Sequence, residues 1–226
     1  MVFGNSLWQL IKQSDIVTKI VLLILIIMSV VCWAIFFYKL ILLRVKKRQL
    51  KEAIDDMEEV TTIDKLLAVA SSYAKTVPGY FLSKNLKFLK SLLESQSGKR
   101  FLTERECELM HYHISQNVDE MVVNEESYLS VLSTVAAASP LLGLFGTVWG
   151  LVHSFVRISE LQSADITTVA PGIAEALITT LTGLMVAIPV LIMYSYLSSQ
   201  IRVLEYALQR LGDRVSLIVQ KICETD

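Results

Sequence analysis

The sequence predicts an all-α integral membrane protein: three transmembrane helices with long cytoplasmic helical extensions. Hydrophobicity is the first reason. Of the 226 residues 53% are hydrophobic and mean hydropathy is +0.52. The apolar residues gather in three blocks, Ile16 to Leu43, Leu129 to Val156 and Val169 to Leu197, each longer than the roughly 20 apolar residues that cross a hydrocarbon core. Spacing is the second reason. After Leu197 the positions Ile201, Leu204, Leu208, Leu211, Val215, Ile218 and Ile222 continue at helical intervals, and no segment alternates as a strand does. Charge is the third: Arg44, Lys46, Lys47, Arg48 and Lys51 follow the first block with no acid before Glu52.

Taken in order, residues 1–15 read as a periplasmic interfacial helix, with Trp8 at headgroup level and Ser14 or Asp15 capping the next helix. The following apolar run is about twice a signal-peptide core and lacks a cleavage site, so it is expected to be a retained anchor. Transmembrane helix 1 (16–43) is aliphatic and aromatic, lacks glycine, and is expected to face lipid. Lys39 lies near its cytoplasmic end, where a lysine can snorkel. The helix is expected to run on to about Glu59. Residues 44–128 form a cytoplasmic helical loop, with two pieces between Thr61 and Ser97 broken at Pro78-Gly79. A capping box at Thr103-Glu-Arg-Glu106 starts a helix that reads as continuous into transmembrane helix 2 (129–156). A short periplasmic loop (157–168), transmembrane helix 3 (169–197) and a cytoplasmic helical tail (198–226), packed on the 104–128 segment, complete the chain. The basic run after the first span, the acid-bearing 157–168 loop and the arginines of the tail agree on a periplasmic N-terminus and a cytoplasmic C-terminus.

Bulk chemistry excludes more than it selects. A net charge of −1 gives no reason to expect a nucleic-acid partner. Cys32, Cys107 and Cys223 are scattered and suggest no disulfide framework. Cys107, His111 and His113 resemble metal ligands in type, but only the first two share a helix face, so no metal or cofactor is expected. The glycines at 143, 146 and 150 lack the Gly-Lys-Ser/Thr of a phosphate loop. The serines of the spans lack the partners of an intramembrane protease. His153 stands at the end of its span as an interfacial or titrating group.

The chemistry concentrates in the last two spans. Around helix 2, Ser139, Pro140, Gly143, Gly146, Thr147, Gly150 and Ser154 fall on one arc, opposite Leu141, Phe145, Val148, Trp149 and Val152. Around helix 3, Gly172, Glu175, Thr179, Thr180, Thr182 and Gly183 share an arc opposite Leu177, Ile178, Leu181, Met185, Ile188 and Ile192. Rows of small residues let membrane helices approach closely. Pro171 suits a first helical turn, while Pro140 and Pro189 suit bends inside the bilayer. Helix packing alone explains each hydroxyl singly; it explains less well why a carboxylate shares the face with three threonines. A lone carboxylate in a span is expensive, by about 2.5–3.5 kcal/mol on insertion scales, unless it reaches the interface or a polar interior. No span carries a complete Asp–Lys–Arg proton relay, so a proton path here needs Glu175 or a carboxylate from another protein.

Gly143-Leu-Phe-Gly-Thr-Val-Trp-Gly150 and Val169-Ala-Pro-Gly-Ile-Ala-Glu-Ala-Leu177, followed by Gly183 and Ala187-Ile-Pro189, resemble the signature spans of the TolQ/ExbB/MotA family of inner-membrane motor subunits. The resemblance is dense over about 133–190 and covers topology alone elsewhere. It implies a homopentamer around a pore holding two single-span partners of the TolR/ExbD kind, whose aspartate takes and releases the proton, and onward coupling to a TolA/TonB-like protein. Thr147 and Thr180 match the family's pore threonines, with Thr179 beside them, and Glu175 matches its glutamate. Thr179 and Leu181 depart from the small alanines common there. The short N-terminus is closer to the TolQ branch than to the ExbB branch, and three spans argue against the four-span MotA branch. The expectation is therefore a non-enzymatic proton-channel subunit of a Tol-Pal-type motor in the bacterial inner membrane. The alternatives are an ExbB-like subunit energising outer-membrane uptake and a passive membrane scaffold.

Overall fold

A computed structural model describes residues 15–58, 60, 63–94, 103–161 and 166–224. The interfacial helix expected before Asp15 lies outside the described residues. The described residues form six helices: α1 (Ile16–Met57), α2 (Ile63–Ser72), α3 (Val77–Glu94), α4 (Glu104–Glu126), α5 (Leu129–Leu161) and α6 (Ile166–Glu224). Among the described residues there is no strand. Three helices among the described residues, α1, α5 and α6, are long and apolar enough to cross a membrane. A helix suits that medium because it satisfies its backbone hydrogen bonds within itself.

The chain forms two compact units. A membrane unit draws on Met1–Phe37 and Tyr128–Tyr196, and a polar unit on Tyr38–Ser127 and Leu197–Asp226. In the membrane unit, the bulky arcs point outward: Leu141, Phe145, Val148 and Val152 of α5 and Leu177, Leu181, Met185, Ile188 and Ile192 of α6 are exposed. Exposed apolar side chains along α1, from Ile16 to Phe37, complete a surface suited to lipid. Trp33 stacks on Phe37 with ring centroids 5.5 Å apart, and Phe36 meets Tyr196 edge-on at 6.3 Å.

The polar unit has a different interior. Leu197, Ile201, Leu204, Leu208, Leu211, Val215 and Ile218 of α6 are all buried. Their alternating spacing of four and three is that of a coiled-coil seam. Also buried in this unit are Leu50, Ala53 and Met57 of α1, Phe81 and Leu82 of α3, and Met110, Ile114 and Val118 of α4. A Cβ placed on Gly212 would stand 2.6 Å from Ile114 Cγ2 and 3.5 Å from Phe81 Cζ, so the tail is packed against α4, as its spacing suggested.

Several local expectations are corrected. Pro78 and Gly79 do not break a helix; the break is at 73–76, and both residues lie in the first turn of α3. A proline is tolerated there because the first N–H groups of a helix have no intrahelical acceptor. Gly79 is required by close approach, since a Cβ would fall 1.8 Å from the Tyr73 carbonyl oxygen. The helix begun at Thr103, where the backbone N–H and the hydroxyl both donate to the Glu106 carboxylate at 2.7 and 2.8 Å, does not run unbroken into α5. It is interrupted at Ser127 and Tyr128. Pro171 is inside α6, because that helix starts at Ile166, earlier than the apolar run indicated. Cys107 is disulfide-bonded, against the expectation of no disulfide; linear spacing does not reveal which cysteines helix packing brings together.

Lys39 is the largest correction. It is 2% exposed and donates from Nζ to the Glu125 carbonyl at 2.7 Å and the Glu125 carboxylate at 3.2 Å. Lys46 pairs with the same carboxylate. A carbonyl near a helix C-terminus is a good acceptor for a cation, and this one, joined to a carboxylate, holds the ammonium inside the polar unit instead of letting it snorkel.

Candidate functional site

The site is built on close approach of α5 to α6 within the membrane unit. A Cβ on Gly143 would stand 3.0 Å from the Thr179 carbonyl oxygen and from Thr180 Cα. One on Gly146 would stand 2.5 Å from Thr179 Oγ1, and one on Gly150 3.0 Å from Ala176 Cβ. From the other side, a Cβ on Gly172 would meet Ser154 Oγ at 2.2 Å, and one on Gly183 the Ser139 carbonyl oxygen at 2.6 Å. The predicted small faces therefore interlock with each other. Pro140 and Pro189 lie inside the continuous helices α5 and α6.

Within this seam the hydroxyls divide into two kinds. Ser139, Ser154, Thr147 and Thr182 donate to their own helix, to the carbonyls of Val135, Gly150, Leu144 and Ile178 at 2.6–2.9 Å. Thr179 is fully buried; it reaches Ala176 O at 2.7 Å and Gly143 O at 3.3 Å. Although it shares an arc with the other threonines, its side chain lies in the seam and not on its rim. Thr180 differs from all of these. It is half-buried, its hydroxyl lies 3.0 Å from the Gly143 carbonyl on the other helix and 3.4 Å from Thr147 Oγ1, and it makes no bond to its own backbone. Thr147 and Thr180 thus form a cross-helix hydroxyl pair at the edge of the seam, each accessible from outside it.

Glu175 stands one turn before Thr179, half-buried, and makes no hydrogen bond or ion pair among the described residues. It borders a cavity with Asp15, His153 and Arg157. Sequence reasoning did not assemble these four, because Asp15 stands far before the other three in the chain and only packing brings it to them. Asp15 caps α1: its carbonyl accepts from Lys19 N–H at 3.1 Å, and its carboxylate accepts the Trp149 indole N–H at 2.8 Å. That indole bond, first among the causes, holds the Asp15 carboxyl below the usual carboxylate range.

His113 is part of a packed polar network in the other unit. Asn117 Nδ2 donates to Asn85 Oδ1 at 2.7 Å and lies 3.0 Å from His113 Nδ1, and the imidazole stacks on Phe88 at 3.9 Å. Burial, with Lys84 nearby, pushes its pKa down. No group of three metal-ligating side chains is gathered among the described residues.

Residues 75–210 match the profile of the MotA/TolQ/ExbB proton channel family. The chain is 34% identical over 197 residues to the biopolymer transport protein ExbB of Salmonella typhimurium, covering 87% of this chain and 79% of the relative. It is 33% identical to the Tol-Pal system protein TolQ of Pseudomonas aeruginosa over 224 residues, covering 98% of this chain and 95% of the relative. The ExbB of Pseudomonas putida is 31% identical, over 98% of this chain and 65% of the relative.

Proposed function

The chain belongs to the MotA/TolQ/ExbB proton channel family, and from that premise we propose that it is an inner-membrane proton-channel subunit of a Tol-Pal-type motor. Five copies surround a pore holding two TolR-like single-span partners, with the N-terminus periplasmic and the C-terminus cytoplasmic. The partner aspartate cycles between charged and neutral as protons pass, at about 2.3 kcal/mol per charge per 100 mV of membrane potential. That energy moves the partner helices against the ring and, through a TolA-like protein, does work on the outer membrane and on envelope constriction at division.

One observation supports this reading above the others: the Thr147–Thr180 pair. Its hydroxyls sit at the edge of a seam that is otherwise closed by glycine and self-bonded hydroxyls. Such a pair offers water and a passing proton donors and acceptors where the rest of the span offers hydrocarbon. Thr180→Val keeps the volume and deletes the hydroxyl. The expected result is lost motor function with the complex still assembled on a native gel; lost assembly would assign Thr180 to packing. Full activity in Glu175→Ala would remove Glu175 from the path.

The second reading, an ExbB-like subunit of outer-membrane uptake, is favoured by the 34% identity to a biopolymer transport protein. A TolQ corresponds to the chain end to end, 98% of one against 95% of the other, but so does the ExbB of Neisseria meningitidis, 93% against 96%, so length does not separate the two roles. Affinity purification from the native membrane followed by native mass spectrometry separates them: the co-purifying single-span chain is either TolR-like or ExbD-like. A ring with no such partner overturns both.

A further inference from the structure

The first residues of α1, the end of the α5 span and the start of α6 enclose a cavity of about 250 Å³. Asp15, Thr18, His153, Arg157, Gly172 and Glu175 line it. At about 30 Å³ per liquid water it has room for several molecules, and its side chains offer them polar partners from all three helix ends. One carboxylate oxygen of Asp15 is held by Trp149. Glu175 is left without a protein partner among the described residues. Ser154, whose hydroxyl is tied to Gly150 O at 2.9 Å, leaves no room for a side chain at Gly172, so this wall is bare backbone. Two carboxylates face one guanidinium and an imidazole; Lys19 stands outside the lining. With the imidazole neutral, the cavity carries a single net negative charge.

Along α6 the cavity lies little more than one turn from the proposed path. Thr179 and Thr180 follow Glu175 by four and five residues, a rise of about 6–8 Å along α6. That gap is short enough for one or two waters to bridge.

We infer that this cavity is a proton-collecting vestibule carried by each protomer, in which Asp15 is the fixed anion at the mouth, His153 the exchanging base and Glu175 the carboxylate that passes protons to the threonine pair. A hydronium ion drawn in by the net charge protonates the His153 imidazole and leaves water. The imidazolium returns that proton through water to the Glu175 carboxylate and is neutral again. Glu175 releases it to water beside Thr180 and Thr147 and regains its charge. Arg157 offsets one of the two carboxylates, so the site attracts protons without gathering the charge that would trap a divalent cation. The inference rests on the threonine path proposed above.

The test uses the full chain, co-purified with the partners it holds in its native membrane, in liposomes containing a pH-sensitive dye and driven by a potassium diffusion potential. The expected result is that the double variant Asp15→Asn, His153→Gln lowers initial proton flux about tenfold or more, with the complex intact by native mass spectrometry, and that Thr180→Val abolishes flux. If the double variant conducts at the wild-type rate while Thr180→Val is silent, the vestibule is overturned and the path stands. If wild-type liposomes carry no flux, both are overturned. A second measurement is independent of flux and of the double variant's folding. Thr18→Cys in whole cells is expected to react with a membrane-impermeant cationic thiol reagent added outside, above the wild-type background. An assembled but unreactive Thr18→Cys overturns the vestibule.

Discussion

Helix α6 passes through both units, and each half is held in a different way. In the membrane unit its contacts with α5 are made by Gly172, Ala176, Thr179 and Gly183, where backbones nearly touch. In the polar unit its contacts are made by Leu204, Leu208, Leu211 and Val215, fully buried at coiled-coil spacing. The difference follows from the solvent. Lipid tails are as apolar as leucine, so burying leucine gains nothing there and association depends on close contact and polar pairing. In water each buried leucine contributes about 1.5–3 kcal/mol. The first half is therefore sensitive to added atoms and the second to removed ones.

The sharpest way to break that comparison is Gly183→Leu. Its Cβ would meet the Ser139 carbonyl oxygen and the Gly143 backbone, atoms that cannot swing aside, so the expected outcome is no assembled membrane unit on a native gel. The same helix should accept Leu208→Ala with folding intact, at a loss of about 2–5 kcal/mol. If Gly183→Leu assembles normally, close contact is not what holds the first half.

The next effect concerns the ion cluster of the polar unit. Glu125→Ala removes the carboxylate that Lys39 and Lys46 share, and breaking a buried ion pair by deleting one partner typically costs about 3–5 kcal/mol. A large drop in melting temperature is expected. Lys39→Met in the same background should recover part of it, because it removes the more deeply buried charge.

The smallest effect sharpens the comparison by pH. His113 has a folded pKa below its ordinary value of 6.5, so the unfolded chain takes up the proton first as pH falls. Its contribution to stability is fully present above about pH 6.5 and is lost as pH falls through the lower folded value. Protection of α3 and α4 amides, taken relative to the base-catalysed exchange rate of an unstructured chain at each pH, should fall between about pH 7.5 and 5.5 in the wild type. His113→Asn should flatten that change, whereas an unchanged pH profile would place its origin elsewhere.

What could be read from the sequence divides along the same line. The α6 seam in the polar unit was legible because seven apolar residues keep their interval through 218. The small faces of α5 and α6 were legible because glycine and hydroxyl residues are unusual in a lipid-facing span. Which threonine of the shared arc reaches the rim was not. Thr179 and Thr180 are neighbours, and only the rotation of α6 against α5 buries one and leaves the other half-exposed. Lys39 was misread because a lysine near a span end carries no mark of a carboxylate 86 positions away. The bond from Trp149 to Asp15 spans 134 positions and leaves no periodic trace at all.

The Thr180 hydroxyl has one hydrogen and two acceptors within reach, the Gly143 carbonyl and Thr147 Oγ1. Turning it from one to the other moves no heavy atom and disturbs no packing, since glycine on the facing helix leaves the carbonyl bare. A wire of hydrogen bonds ends each passage pointing the wrong way and must be reset before it can carry again. In the proposed path that reset is a rotation about a single C–O bond, so recovery between protons can be fast although the helices around it are locked.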